Sequence, residues 1–417
     1  VRRVVITGLG AVTPIGHSAD HTWDALIAGR SGIGPLTTFD AATFPVRIAG
    51  QVRNFRTSDA MDRRLPAVGR YAIAATREAL AQAGITSGTY DPDELGIAMG
   101  ASVGRPELQT VADVAHLRDR SGGREIYRHP PRALLHRNPN AILAKLAAAA
   151  HAGGPMIGVS TACAGSGHAI GEAFRTIQDG AATAMVAGGL DTLTDWMDVL
   201  GFSLLGALTT EYNDRPEAAS RPFDANRSGF VIGEGAVVLV LEELTAARAR
   251  GARILAELLG YASTLNAYRI TDSPPDGGGA ITAMSGALAD AGIGPADIDY
   301  VVAHGTGTPG NDASETTAIK AVFGEHARRV AISSPKSMTG HLTSAAAALN
   351  MLAAVGALRT STLPPTINLD HPDPKLDLDY VPNIARTAAV ETVLVNAFAF
   401  GGTNTCLVVG RPQEEQP

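Results

Sequence analysis

Three side chains with the chemistry of a nucleophile and its helpers stand out from the sequence: Cys163, His304 and His341. Cys163 lies in Met156-Ile157-Gly158-Val159-Ser160-Thr161-Ala162-Cys163-Ala164-Gly165-Ser166-Gly167-His168. This stretch reads as a short apolar strand, a turn of small residues, and a helix running on through Glu172, Ala173, Phe174 and Ile177. A cysteine at a strand-to-helix elbow sees the positive end of the helix dipole, which lowers its pKa and favours the thiolate. The small neighbours Ala162, Ala164, Gly165 and Gly167 let a substrate approach the sulfur closely. Alone, the stretch also fits a buried structural cysteine; the two downstream histidines favour the nucleophile. His304 ends the apolar run Val301-Val302-Ala303 and faces a Gly/Thr loop. His341 closes Lys336-Ser337-Met338-Thr339-Gly340 and starts an alanine-rich helix, Leu342 to Leu358. Asn396 to Asn404 contains a glycine-rich turn. A metal centre is disfavoured: there is no Cys-x-x-Cys pair, and Ser18 follows His17 of the His17/His21 pair where a zinc protease would carry glutamate. Gly8-x-Gly10 lacks the third glycine of a dinucleotide fingerprint.

The elements that must carry these residues alternate between strand and helix. Val4 to Val12 reads as a strand ending in a glycine-rich turn, Trp23 to Ala28 as a short helix, and Pro66 to Gly84 as an amphipathic helix closed by glycine. Leu95 to Met99 is a buried strand, Gly104 to Pro139 an irregular insertion loop, and Ala141 to Ala152 a helix. Further strands cover Ala184 to Ala187, ending at Gly188-Gly189, and Ala236 to Glu242. The pattern then restarts. Glu78 to Ile85 recurs as Gly286 to Ile293, an offset of 208, and an apolar strand ending in glycine follows each copy. This predicts a duplicated α/β unit. The boundary falls near Arg250 to Ile254, giving halves of 1–251, with the cysteine, and 252–417, with both histidines.

With 417 residues, 45% hydrophobic and 18% charged, the chain can build a large core. Two cysteines, Cys163 and Cys406, exclude a disulfide framework and suit a reducing cytoplasm. The opening Val1-Arg2-Arg3 reads as a basic tip entering a strand rather than a secretion signal. No stretch approaches the roughly 20 apolar residues of a membrane span. A net charge of −7 argues against nucleic-acid binding.

Taken in order, the Ala162-Cys163 elbow, His304-Gly305-Thr306-Gly307-Thr308, Lys336-Ser337-Met338-Thr339-Gly340-His341 and Phe400-Gly401-Gly402-Thr403-Asn404 resemble the β-ketoacyl-acyl carrier protein synthases. The resemblance is to synthase II and the ketosynthases of type II polyketide systems, and it spans nearly the whole chain. It implies the thiolase fold, a duplicated five-layer α-β-α-β-α sandwich, and a homodimer or a heterodimer with a chain-length-factor-like subunit. It also implies an acyl carrier protein as partner and no metal or organic cofactor, since the phosphopantetheine belongs to the carrier.

The same resemblance assigns roles. Cys163 takes the acyl chain as a thioester. His304 and His341 hold the malonyl thioester carbonyl during decarboxylation. The N–H groups of Cys163 and Phe400 form an oxyanion hole, and Phe400 is also the gate beside the cysteine. Lys336 supports the histidines, anchored by Asp312 and Glu315, and Asn404 belongs to the supporting glycine-rich motif. Arg63, Arg64 and Arg70 match basic carrier-docking positions. Three features depart from the family pattern: Ala399 stands for a glycine before the gate, Thr343, Ser344 and Ala347 interrupt a Leu/Gly/Ala run, and Asn350 replaces a glutamate. These departures point to a specialised pathway. The alternatives are a housekeeping fatty-acid elongation synthase and a poorly active partner subunit. The intact Cys163 argues against the partner subunit. A thiolase proper would need a second catalytic cysteine, whereas Cys406 sits in a strand pattern. A starter-unit synthase carries asparagine where His341 stands.

Overall fold

The computed structural model describes residues 1–412 except 58, 60, 61, 103, 105, 107 and 124–137. Ten strands form its central sheet: β1 (Val4–Val12), β2 (Leu95–Ala101), β3 (Met156–Val159), β4 (Ala184–Thr192), β5 (Glu234–Glu243), β6 (Ala256–Leu265), β7 (Tyr300–Val302), β8 (Ala331–Ser333), β9 (Thr392–Phe398) and β10 (Thr403–Gly410). Their order is β3-β2-β4-β5-β1-β6-β10-β9-β7-β8. Read outward from the middle, the second half repeats the first with five added to every number. The β2, β3 and β4 neighbours are parallel, as are β7, β8 and β9, and every other pair is antiparallel. The halves join through β1 and β6, with Val4 opposite Leu258 and Ile6 opposite Ala256.

Six helices build the layers, α1 (Ala67–Ala83), α2 (Pro139–Ala150), α3 (Gly165–Gln178), α5 (Gly278–Ala291), α6 (Pro309–Phe323) and α7 (Ala346–Thr360), while α4 (Trp196–Leu204) follows β4. Helices α1 and α2 cover one outer face, α5 and α6 the other, and α3 and α7 lie between the two halves of the sheet. The result is the five-layer duplicated sandwich expected from the sequence. The inner layer is the driest. In α7 every residue from Ala346 to Leu358 is buried, so its pattern shows no polar face. The small residues that fill it let α3 and α7 approach one another closely.

The repeated octapeptide marks the same place in each half. Helix α1 ends at Gly84 (φ 70°) and α5 at Gly292 (φ 69°), each in the left-handed conformation that glycine adopts without strain. Each helix lies over a strand that has no side chain at the crossing. A Cβ at Gly8 would collide with the Ala79 carbonyl, and one at Gly260 with the Ala287 carbonyl. Gly8 and Gly10 therefore lie inside β1, which runs to Val12, and do not make the turn expected there. The double glycine likewise sits within β4, which continues to Thr192.

A further sequence expectation changes. The segment Gly104 to Pro139 contains a helix at Leu108–Ser121, where an irregular loop was expected; residues 124–137 lie outside the described residues. No residue of that helix is buried, although Leu108, Val111, Ala112 and Ala115 keep helical spacing. Among the described residues no helix is long and apolar enough to cross a membrane.

Candidate active site

Cys163 stands in a short turn, Ala162–Ala164, between β3 and α3. Ala162 has φ 46°, a backbone conformation that a residue with a Cβ rarely adopts. The pseudo-symmetric position, between β8 and α7, has the same construction. There the turn is Thr343–Ala345, and Thr343 has φ 47°. The fold thus places the cysteine turn of one half against the histidine turn of the other, at the facing N-termini of the two central helices. His341 precedes this turn, so the alanine-rich helix starts at Ala346, four residues later than expected. Close approach fixes the arrangement: a Cβ on Gly100 of β2 would strike the backbone of Gly165 and Ser166.

The two histidines arrive on different supports. His304 follows β7, and its loop is held from below by two buried carboxylates of α6. Glu315 accepts hydrogen bonds from the N–H groups of His304 and Gly305, both at 2.8 Å, and from Asn396 Nδ2 at 3.0 Å. Asp312 accepts from the N–H groups of Thr306 (3.1 Å), Gly307 (3.2 Å) and Phe223 (2.9 Å). Lys336, only 1% exposed, donates from Nζ to the His304 carbonyl at 2.6 Å. The sequence reading had the carboxylates anchoring this lysine. Instead they hold the loop backbone and act on Lys336 through their charge, and the His304 carbonyl is its hydrogen-bond partner.

His341 Nδ1 accepts the Thr343 N–H at 3.1 Å, which puts the ring proton on Nε2. The His304 and His341 rings lie 5.4 Å apart, with planes at 79°. Burial holds both imidazoles well below their usual range, and the Lys336 cation adds to this. Both are therefore neutral at neutral pH. His304 Nδ1 and His341 Nε2 are buried and have no hydrogen-bond partner among the described residues.

Cys163 joins two cavities. The smaller, about 210 Å³, is lined by Cys163, His304, His341, Thr306, Thr308 and Phe400 among others. The larger, about 730 Å³, shares Cys163, Phe202, Leu205, Thr343 and Phe400 but contains neither histidine. Phe400 thus stands at the doorway between them. The N–H groups of Phe400 and of Cys163 itself approach the sulfur and favour its charged form, as does the Lys336 cation. Burial outweighs them and pushes the Cys163 thiol up to about 11. This corrects the lowered pKa expected from the helix terminus: the part of Cys163 that remains exposed faces the cavities rather than open water.

The other expected residues fall as follows. Asn404 is buried beneath the glycine-rich turn, where Nδ2 donates to Asn266 Oδ1 (2.7 Å), Thr264 Oγ1 (3.2 Å) and the Gly402 carbonyl (3.2 Å). It supports the segment that carries Phe400 and lines neither cavity. Ala399 has no left-handed φ; Gly401 (φ 87°) and Gly402 (φ 81°) make the turn. Cys406 is core, with Sγ donating to Asn396 Oδ1 at 3.2 Å. His17 and His21 are exposed, and His17 packs edge-on to Phe55. Arg63 and Arg64 are exposed in the turn before α1, and Arg70, on α1, is half-buried.

Sequence reasoning missed the groups that tie these parts together. Asp191, at the end of β4, accepts from Ser102 Oγ (2.7 Å), from the Ser344 N–H (3.1 Å) and from Thr343 Oγ1. Asn350 Nδ2 donates to the Ala303 carbonyl at 3.0 Å and the Asn396 carbonyl at 3.2 Å, tying β7 to β9 directly behind His304. Only the departures at Thr343, Ser344 and Asn350 hinted at these links.

A thiolase fold carrying a cysteine and two histidines on one cavity, with a lysine buried behind one of the histidines, is that of an acyltransferase-type condensing enzyme. Comparison with known proteins agrees. Residues 1–247 match the N-terminal domain of β-ketoacyl synthase and residues 255–370 its C-terminal domain. The chain belongs to the β-ketoacyl synthase family. It is 42% identical to 3-oxoacyl-[acyl-carrier-protein] synthase 2 of Coxiella burnetii, over 98% of this chain and 99% of that protein. It is 42% identical to the synthase 2 of Synechocystis, over 99% of each. Among solved structures it superposes on a type II polyketide ketosynthase in complex with its acyl-carrier protein, with a TM-score of 0.90 at 32% identity over 99% of this chain and 100% of that one. The ishigamide ketosynthase/chain length factor gives 0.87 at 34% identity, over 99% and 100%.

Two predictions follow from the site's electrostatics and bonding. Because burial sets the thiol, alkylation of Cys163 by iodoacetamide should rise about tenfold per pH unit between about pH 7 and pH 9. Lys336→Met, which removes a cation that favours the thiolate, should slow it further. A rate that already levels off near neutral pH would show that the helix terminus, not burial, governs the sulfur. For Asn350→Leu, which strands two buried carbonyls, urea unfolding should report a loss of about 1–3 kcal/mol. An unchanged midpoint would mean that these carbonyls find other partners.

Proposed function

We propose that this protein is a β-ketoacyl-acyl carrier protein synthase that joins an acyl group to a malonyl unit by decarboxylative Claisen condensation. One observation carries the reading: two neutral imidazoles each leave a buried ring nitrogen unpaired beside a cysteine on the same cavity. A buried polar atom without a partner is costly, and a substrate oxygen placed between the rings relieves that cost.

The chemistry runs in two halves. Cys163 gives up its proton and the sulfur attacks the thioester carbonyl of an acyl carrier protein. The resulting oxyanion is held by the Cys163 and Phe400 N–H groups. The carrier thiolate leaves and is protonated, and the acyl chain stays on Cys163 as a thioester. A malonyl thioester then enters the smaller cavity with its carbonyl oxygen against His304 and His341. Loss of carbon dioxide leaves an electron pair delocalised onto that oxygen as an enolate, which the histidines stabilise. The enolate carbon attacks the acyl carbonyl, the Cys163–acyl bond breaks, and a β-ketoacyl chain two carbons longer leaves on the carrier. Glu315 and Asp312 fix the His304 loop, and Lys336 supports it from the carbonyl side. The scheme needs no metal or organic cofactor, and two free thiols suit a reducing cytoplasm.

The oligomer in this reading is a dimer formed along the open edge strand β3, whose outward Met156 is 54% exposed. Two placements in metabolism are consistent with it. Thr343, Ser344, Ala347 and Asn350 favour a specialised type II polyketide or fatty-acid pathway. The 42% identity to synthases 2 favours fatty-acid elongation.

Intact-mass analysis with acyl-carrier proteins tests the proposal. The wild-type chain should gain an acyl adduct that Cys163→Ala lacks, and adding malonyl-carrier protein should discharge it as an elongated product. His341→Ala should keep the adduct and lose condensation by about a hundredfold or more. An adduct that persists after malonyl-carrier protein is added would reject the reading. In the same assay Arg63→Glu with Arg64→Glu should raise the carrier-protein KM, and an unchanged KM would exclude this surface as the dock.

A further inference from the structure

The turn that carries Cys163 is strained at Ala162, and such a turn keeps its shape only where groups outside it grip it. One such group is His168, in the first turn of α3. Its Nδ1 lies 2.9 Å from Thr161 Oγ1 and 3.2 Å from the Ala164 carbonyl. A carbonyl only accepts, so Nδ1 carries the ring proton and shares it between the residue before Ala162 and the residue after Cys163. Burial holds the imidazole below its usual range, so the ring keeps one proton and Nε2 is an acceptor. Nε2 lies 2.8 Å from Ser263 Oγ, which donates to it. Tyr261 also reaches Ser263, but its phenol brings its own proton and leaves the serine proton for His168.

Ser263 belongs to the other half of the chain, on β6. Three residues on, the same stretch holds the gate. The Asn266 N–H donates to the Gly402 carbonyl at 2.7 Å, and Asn266 Oδ1 accepts from Asn404 Nδ2 at 2.7 Å. Gly402 lies two residues after Phe400. The stretch from Ser263 to Asn266 therefore holds Cys163, through His168, and also holds the Phe400 turn. In the ketosynthase reading, on which this inference rests, the N–H groups of these two residues form the oxyanion hole. Their spacing decides how well a tetrahedral oxyanion is held, and it is set by a stretch that lines neither cavity.

We propose that His168 is a positioning residue that sets the spacing of the Cys163 and Phe400 N–H groups by tying the Cys163 turn to Ser263 of β6. His168 itself lines neither cavity, so it acts through the turn and not on the substrate.

The test compares two reactions of the same sulfur. Acylation by an acyl-carrier protein builds charge on a carbonyl oxygen and needs the oxyanion hole. Alkylation by iodoacetamide displaces iodide and does not. Ser263→Ala and His168→Asn, whose amide still reaches Thr161, each cut the link to β6. Each should slow acylation at saturating carrier protein about tenfold, with KM and the alkylation rate within about twofold of wild type. The double variant should fall no further than either single one. His168→Ala, which also frees Thr161, should lose more. Acylation untouched by Ser263→Ala and His168→Asn would overturn the proposal, as would additive losses or a parallel fall in alkylation. The exposed Ser263 keeps the test decisive should the His168 variants fold poorly. A wild-type chain that no carrier protein acylates would reject the ketosynthase reading, and this inference with it.

Discussion

The site depends on a buried carboxylate that carries a loop. Glu315 holds the N–H groups of His304 and Gly305 and the amide of Asn396, all inside the protein. A buried charge is tolerated only when it is fully bonded and balanced. Three donors bond this one, and the Lys336 cation balances it while Nζ holds the carbonyl of the same His304. The loop is thus gripped from both its N–H and its C=O side. Asn350 adds a third grip through Ala303. The imidazole is left free of structural duty, so its ring nitrogen can meet a substrate.

The second constraint is the duplication. One α/β unit has its helix N-termini exposed at the end of its sheet. Two such units, joined at β1 and β6, bring the N-termini of α3 and α7 together. The two turns leading into those helices share a left-handed residue, Ala162 and Thr343, yet they carry different chemistry. One holds the cysteine. The other uses its own N–H to set the tautomer of His341. Strained residues of this kind persist where the surroundings over-determine them. Here the glycine contacts of β2 and the Asp191 hydrogen bonds supply that determination.

Burial moves the pKa values of Cys163 and the two histidines in opposite directions. It keeps both histidines neutral, so that they donate hydrogen bonds without a full charge that would need its own partner. It also makes the Cys163 thiol reluctant to ionise, against the pull of Lys336 and two N–H groups. In the proposed reaction the sulfur ionises only once a bound thioester displaces water from the cavities and places an electrophile beside it.

The sequence by itself determined the parts whose signal is local. The helix stops at Gly84 and Gly292 follow from the left-handed conformation glycine allows, and they exposed the duplication. The order of the motifs singled out Cys163, His304, His341, Lys336 and Phe400 as candidates because each lies in a short run of distinctive residues. Tertiary structure decided what depends on distance across the fold. Asp191 and Thr343 are 152 positions apart, and no spacing rule connects them. His168 is an ordinary helix residue until its ring is seen to reach Ser263 in the other half. The Cys163 thiol was misjudged from sequence because the helix terminus is visible there and the burial is not. Charge on a side chain is set by everything around it in space, and only the folded chain brings those surroundings together.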